Sequence, residues 1–128
     1  GDESYVSSLR DKAGERVQLH GAVSGDKMPE IYSSADSVIV PSMWYETYNF
    51  VLREALMTGA LVVSADIGAM PEAVNEGENG YLFAPSEVES LKAALKKAAD
   101  FDFTGYKRRN FPTLAEEAEI YCRLYKQK

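Results

Sequence analysis

The chain has one cysteine, one histidine, no long apolar run and no surplus of positive charge, and each shortage removes a class of protein. Cys122 alone cannot close an internal disulfide and fits a reducing compartment. No stretch approaches the roughly 20 apolar residues that cross a bilayer. The opening Gly1-Asp2-Glu3-Ser4 carries no basic, apolar, small-residue signal pattern and no Met, which suggests a processed or excised segment. Cytosol is therefore the default compartment. The 14 basic side chains face 20 acidic ones, for a net charge of −6. That balance argues against a general nucleic-acid or membrane-surface binder, since both need clustered positive charge. It leaves open a small anionic ligand held by a few local groups.

What is present is enough for one compact domain: 128 residues with 45% apolar content. Short apolar runs alternate with longer amphipathic ones. Tyr5 to Ala13 reads as a short helix and Val17–His20 as a strand. Asp26 opens a second helix, with Pro29 in its first turn and Met28, Ile31, Tyr32 and Ala35 on one face. Ser37–Val40 is a β-branched strand stopped by Pro41. A helix is expected from about Asn49 to Thr58 with Gly59 as its C-cap, then a strand at Leu61–Ser64. A short helix near Pro71–Asn75 and a turn at Gly77-Glu78-Asn79-Gly80 lead to the strand Tyr81–Phe83. Ser86 with Glu89, and Thr113 with Glu116, each form a capping-box pattern ahead of a helix, with Phe101–Phe111 as the connector between them. The alternation predicts an α/β fold: a parallel sheet with helices on both faces and ligands beyond the carboxyl ends of its strands.

The loop after Val40 carries the strongest signal. Glu46 stands just before the helix and Glu54 about a turn and a half inside it, so both can face one crevice. Between them the helix N-terminus offers free N–H groups around Tyr48–Val51, a site for an anion. A phosphate held there would leave each carboxylate to accept hydrogen bonds from hydroxyls on its own side. Two hydroxyl-rich groups joined by phosphate describe a nucleotide sugar. On spacing alone, two acids that complement the helix dipole and stay solvated are the better account.

The neighbouring residues add weight. Pro41-Ser42, Glu46, Glu54-Ala55-Leu56-Met57-Thr58-Gly59, Val62-Val63-Ser64-Ala65-Asp66 and Met70-Pro71-Glu72, with Gly21-Ala22-Val23 before and Asn79-Gly80-Tyr81-Leu82 after, resemble the retaining GT-B glycosyltransferases of group 1, or family 4. The resemblance runs from about His20 to Pro85 and centres on Glu46-x7-Glu54. It implies the Rossmann-like C-terminal, donor-binding half of an enzyme that moves a sugar from a nucleotide diphosphate to a hydroxyl acceptor. By resemblance Glu46 contacts the transferred sugar, Glu54 binds the ribose hydroxyls, and backbone N–H groups near Tyr48, Asn49 and Phe50 hold sugar and diphosphate. Val23 and Ser24 would lie beside the nucleobase. The N-terminal acceptor domain, and the strand–helix segment whose Arg and Lys neutralise the diphosphate, would precede this chain, so the fragment alone is expected to be inactive. No cofactor and no metal are expected, since neither a phosphate-binding glycine loop nor clustered metal-ligand spacing occurs. The parent enzyme is expected in the cytoplasm, free there or at the membrane surface, and nucleic acid is not an expected partner.

Departures from the family pattern are Thr47, Tyr48 and Asn49 where a small residue, Phe and Gly or Pro are common, and Ala69 where a second glycine is usual. Asn is among the non-glycine residues that best accept left-handed backbone. Trp44 and Tyr45 either wall a sugar pocket or pack at a strand end. Arg53 and Lys107-Arg108-Arg109 read first as solvated, Glu72 as structural at the start of a short helix, and His20 as structural or surface. The reading from a different class is a non-catalytic nucleotide-binding or scaffold module. By resemblance the whole sheet has the strand order 3-2-1-4-5-6, with two absent strands between Val17–His20 and Ser37–Val40. Either those two segments pair directly, or the open edge is filled by self-association or by another piece of the same protein.

Overall fold

A computed structural model describes residues 3–106 and 108–126. Five α-helices and three strands follow in order among these residues: α1 Glu3–Lys12, α2 Met28–Ser34, β1 Ser37–Val40, α3 Phe50–Thr58, β2 Leu61–Ala65, β3 Gly80–Phe83, α4 Val88–Ala99 and α5 Leu114–Lys126. The strands form one parallel sheet in the order β1-β2-β3. Ser37 pairs with Leu61 and Val40 with Ser64; Val62 pairs with Gly80 and Ala65 with Phe83. Each strand returns through a crossover, as parallel pairing requires.

β2 is the centre of the core. All five of its residues are buried, and because successive side chains point to opposite faces, both faces of the strand are covered. α3 packs on β1 and β2 and contributes Leu52, Ala55 and Leu56, while α4 packs on β3 and β2 and contributes Ala94 and Ala98. α2 lies against α3 and buries Tyr32. This is the α/β Rossmann-like arrangement that the alternating pattern implies.

The expected strand at Val17–His20 does not form. Its residues are exposed and lie in irregular chain, with no strand partner. Among the described residues β1 pairs only with β2, so the direct pairing of Val17–His20 with Ser37–Val40 does not occur and the outer edge of β1 carries no ladder. The physical reason is that a lone extended segment gains nothing from alternation until a neighbouring edge meets its N–H and C=O groups.

Two smaller expectations also fail. Pro71–Ala73 is a turn rather than a helix. The Ser86–Glu89 capping box is not made: Ser86 adopts φ 64° and donates its hydroxyl to the Met43 sulfur, Glu87 takes the N-cap position without a side-chain bond, and Glu89 pairs with Lys92. The second box is complete. The Thr113 N–H donates to the Glu116 carboxylate at 2.7 Å while the Glu116 N–H donates to the Thr113 hydroxyl at 3.3 Å. The connector 101–111 is held by stacked aromatics, with Phe101 edge-on to Tyr81, Phe103 and Tyr106, and the Tyr106 hydroxyl donating to the Ala60 carbonyl.

Candidate functional site

Loops leaving the carboxyl ends of the three strands meet beside the N-terminus of α3. The first, residues 41–49, is fixed from both neighbours. The Ala69 N–H, in the loop after β2, donates to the Glu46 carbonyl at 2.9 Å. Ser86, after β3, reaches Met43. Within the first loop the Ser42 hydroxyl donates to the Glu46 carboxylate at 3.4 Å, so the half-buried acid is tethered through both backbone and side chain.

Asn49 is the N-cap of α3, with φ 51° and ψ 91°, and its side-chain oxygen accepts from the Leu52 N–H at 2.9 Å. The positive φ is the conformation that Asn tolerates and most side chains do not. The cap takes one of the free donors at the helix start. The N–H groups of Phe50 and Val51 donate to no acceptor among the described residues and remain available to an anion. Glu46, Tyr48, Asn49 and Phe50, with Thr47 and Val51, line one open cavity of about 280 Å³.

Glu54 stands one and a half turns along α3, exposed, and lines two further cavities. One holds Tyr48, Phe50, Arg53, Met57, Pro112 and Glu117; the other holds Gly25, Met28, Pro29, Tyr32, Met57, Thr58 and Arg108. Tyr48 and Phe50 are shared between the Glu46 and Glu54 sides, and their rings lie 5.0 Å apart. The two carboxylates therefore line separate cavities, joined by the shared Tyr48 and Phe50 at the helix start, and not the single crevice that the spacing allows. Val23 and Ser24 stand apart. Both are exposed and line none of these cavities; Ser24 donates its hydroxyl to Asp26, and only their neighbour Gly25 reaches a cavity that Glu54 lines.

Several side chains differ from their sequence reading. Arg53 is not a solvated face: its guanidinium lies 4.0 Å from the centre of the Tyr48 ring and 4.8 Å from that of Phe111, and its Nε donates to the Tyr48 carbonyl at 2.8 Å. It clamps the helix start to the connector. Trp44 and Tyr45 are 78% and 82% exposed, so they do not pack at the strand end, and they line none of the three cavities above. Arg109 stacks on Phe111, Arg108 lines the cavity beside Glu54, and Lys107 lies outside the described residues. His20 and Glu72 are exposed.

Sequence reasoning passed over Ser42, Gly68 and Tyr32. Ser42 had a signal in its four-residue spacing from Glu46. Tyr32 had one in being the single phenol on an otherwise apolar helix face, where a hydroxyl asks for a partner. Burial first, then the nearby negative charge of Glu54, raise the Tyr32 phenol above its ordinary pKa.

Comparison with known proteins identifies the family to which this fold belongs. The family model of group 1 glycosyl transferases matches residues 1–101. The chain belongs to that family. It is 33% identical over 100 residues to a sulfoquinovosyl transferase of Arabidopsis thaliana, covering 75% of this chain and 19% of that protein. It is 38% identical over 101 residues to a D-inositol 3-phosphate glycosyltransferase of Corynebacterium aurimucosum, covering 78% and 24%. Its fold matches a sucrose-phosphate synthase of Thermosynechococcus elongatus with a TM-score of 0.78 at 22% identity, covering 99% of this chain and 35% of that one. The chain spans about a fifth to a quarter of the length of these two curated relatives.

Proposed function

We propose that this chain is the donor-binding part of a retaining glycosyltransferase, which moves a sugar from a nucleotide diphosphate to a hydroxyl acceptor. The observation that carries the reading is the order along one surface: Glu46, the unpartnered N–H groups of Phe50 and Val51, then Glu54. In this reading the diphosphate lies on the helix start, where the N–H groups and the helix dipole favour negative charge. Glu46 accepts from hydroxyls of the sugar on one side, and Glu54 from the ribose on the other. As the bond from the anomeric carbon to the phosphate oxygen breaks, the electron pair stays on the diphosphate, and donors already aimed at that position stabilise it. The chemistry so proposed calls on no metal.

The acceptor site and the basic residues that complete diphosphate binding belong, in this reading, to parts of the parent protein that precede these residues. The open edge of β1 is proposed to be filled by such a part, or by a second copy of this chain. Light scattering on the isolated 128 residues tests that: association is expected, and a folded monomer at high concentration contradicts it. The fragment should bind sugar nucleotides weakly and transfer nothing.

The function itself is tested on the full-length protein by calorimetry with uridine, guanosine and adenosine diphosphates and their sugars. One nucleotide series should bind. Absence of binding by all three would remove the donor-site reading.

A further inference from the structure

Arg53 stands one residue before Glu54 on α3, half-buried, and its side chain runs back to the loop that precedes the helix. Its Nε donates to the Tyr48 carbonyl at 2.8 Å. Its guanidinium also meets two rings, 4.0 Å from the centre of Tyr48 and 4.8 Å from that of Phe111. A planar cation stacked in this way has little freedom left, so its Nε is a fixed donor.

The carbonyl it holds belongs to the Tyr48–Asn49 peptide. No peptide bond among the described residues is cis, and in a planar trans peptide the C=O and the N–H point in opposite directions. A bond that draws the carbonyl toward Arg53 therefore turns the Asn49 N–H the other way. The cavities agree with that direction. Arg53 lines the one that Glu54 shares, Asn49 lines the one that Glu46 shares, and Tyr48 lines both. The Asn49 N–H donates to no acceptor among the described residues. Nor does its side chain stand in the way, since its oxygen accepts from the Leu52 N–H and its nitrogen donates to the Met70 sulfur at 3.7 Å.

The opposite orientation is within reach. Turning the peptide over would carry Asn49 from its φ of 51° to negative values, which cost a side chain less. The orientation found needs a holder, and the Arg53 Nε is bonded to it.

We infer that Arg53 is a positioning residue for the diphosphate: through the Tyr48 carbonyl it sets the peptide whose N–H joins those of Phe50 and Val51 in meeting the anion. The ring of Phe111, from the connector, is the second half of the device. The inference rests on the proposed place of the diphosphate at the start of α3. It differs from a direct contact, in which the guanidinium itself would meet the phosphate.

The test uses the full-length protein, whichever of uridine, guanosine or adenosine diphosphate binds it, and the same nucleoside without phosphate. Arg53→Lys keeps the positive charge but has no planar group to stack and no donor at the Nε position. It should weaken the diphosphate by about three- to tenfold, the size of one lost hydrogen bond, and leave the nucleoside unchanged. Phe111 lines neither cavity at the helix start. Phe111→Leu should nonetheless weaken the diphosphate, and should add little in the Arg53→Lys background. Losses that simply add would overturn the coupling. Wild-type diphosphate affinity in Arg53→Lys would show that charge alone suffices, and overturns the inference. Thermal melting accompanies each variant: a lowered melting temperature with nucleoside and diphosphate weakened alike is the mark of a purely structural Arg53, and overturns it too. If Glu54→Ala weakens the diphosphate while Arg53→Lys does not, the donor-site reading stands without the positioning role. If the wild-type protein binds none of the three diphosphates, that reading falls and the inference with it.

Discussion

Gly68 lies against the backbone of Glu46 so closely that no other residue fits there. A Cβ built on Gly68 would stand 2.6 Å from the Glu46 carbonyl oxygen and 2.8 Å from its nitrogen, and the φ of +61° is itself a left-handed conformation. The next residue, Ala69, donates its N–H to that same carbonyl. The loop after β2 is in this way the support on which the loop after β1 presents its acid. That Ala69 replaces a commoner glycine is harmless, since its N–H does the work; the position that cannot change is Gly68.

Gly68→Ala should therefore displace Glu46. Backbone strain and the clash together should lower stability by about 1–3 kcal/mol in urea titration of the full-length protein. Turnover should fall with it, whereas affinity for the nucleoside diphosphate, measured under conditions where the variant is folded, should hold. Wild-type stability and turnover would show that the contact is not what fixes the loop.

Asn49 combines a cap with a positive φ, so its substitutions should rank in an order set by both. Asn49→Gly keeps the backbone conformation and should cost a few tenths of a kcal/mol; Asn49→Ala loses the cap and strains the backbone and should cost about 1–2 kcal/mol. Denaturant midpoints check the ranking. Equal losses, or Ala better than Gly, would mean that the cap does not hold the start of α3.

These residues also mark how far the sequence was legible. The α3 unit could be read from it because each signal was local: the β-branched run stopped by Pro41, Asn49 at the start, and Gly59, which does adopt a left-handed C-cap at φ 98°. That Glu46 precedes the start of α3 and Glu54 lies within it was legible for the same reason, since eight residues of one loop and one helix set their separation. What failed was non-local. Val17–His20 has the alternation of a strand, but alternation says nothing about whether an edge is there to receive it. Ser86 and Glu89 have capping-box spacing, yet Ser86 is turned toward Met43, 43 residues away. Arg53 read as solvated because the ring of Phe111 that covers it comes from a distant connector.

Acid should act first on the start of α5. Bonds from the Thr113 N–H, and then from its hydroxyl, hold the Glu116 carboxyl below its ordinary pKa of 4.5. A carboxyl depressed in the folded state adds stability above its unfolded pKa, and that contribution is lost as pH falls through the folded value. Helical signal from α5 should thus decline below about pH 4.5, in hydrogen exchange of residues 114–120. Glu116→Gln should flatten the profile. An unchanged profile in that variant would exclude the box as its cause.

The central claim is a division of labour between two acids on one surface. Glu54→Ala in the full-length protein should weaken the nucleoside diphosphate by roughly 1.5–3 kcal/mol in calorimetry, the worth of a charged acceptor. Glu46→Ala should leave that affinity intact and impair turnover of the sugar nucleotide. The two variants, compared side by side for diphosphate affinity and for transfer, test the account most directly. Loss of diphosphate affinity in Glu46→Ala as large as its loss of activity, or unaltered affinity in Glu54→Ala, would contradict it.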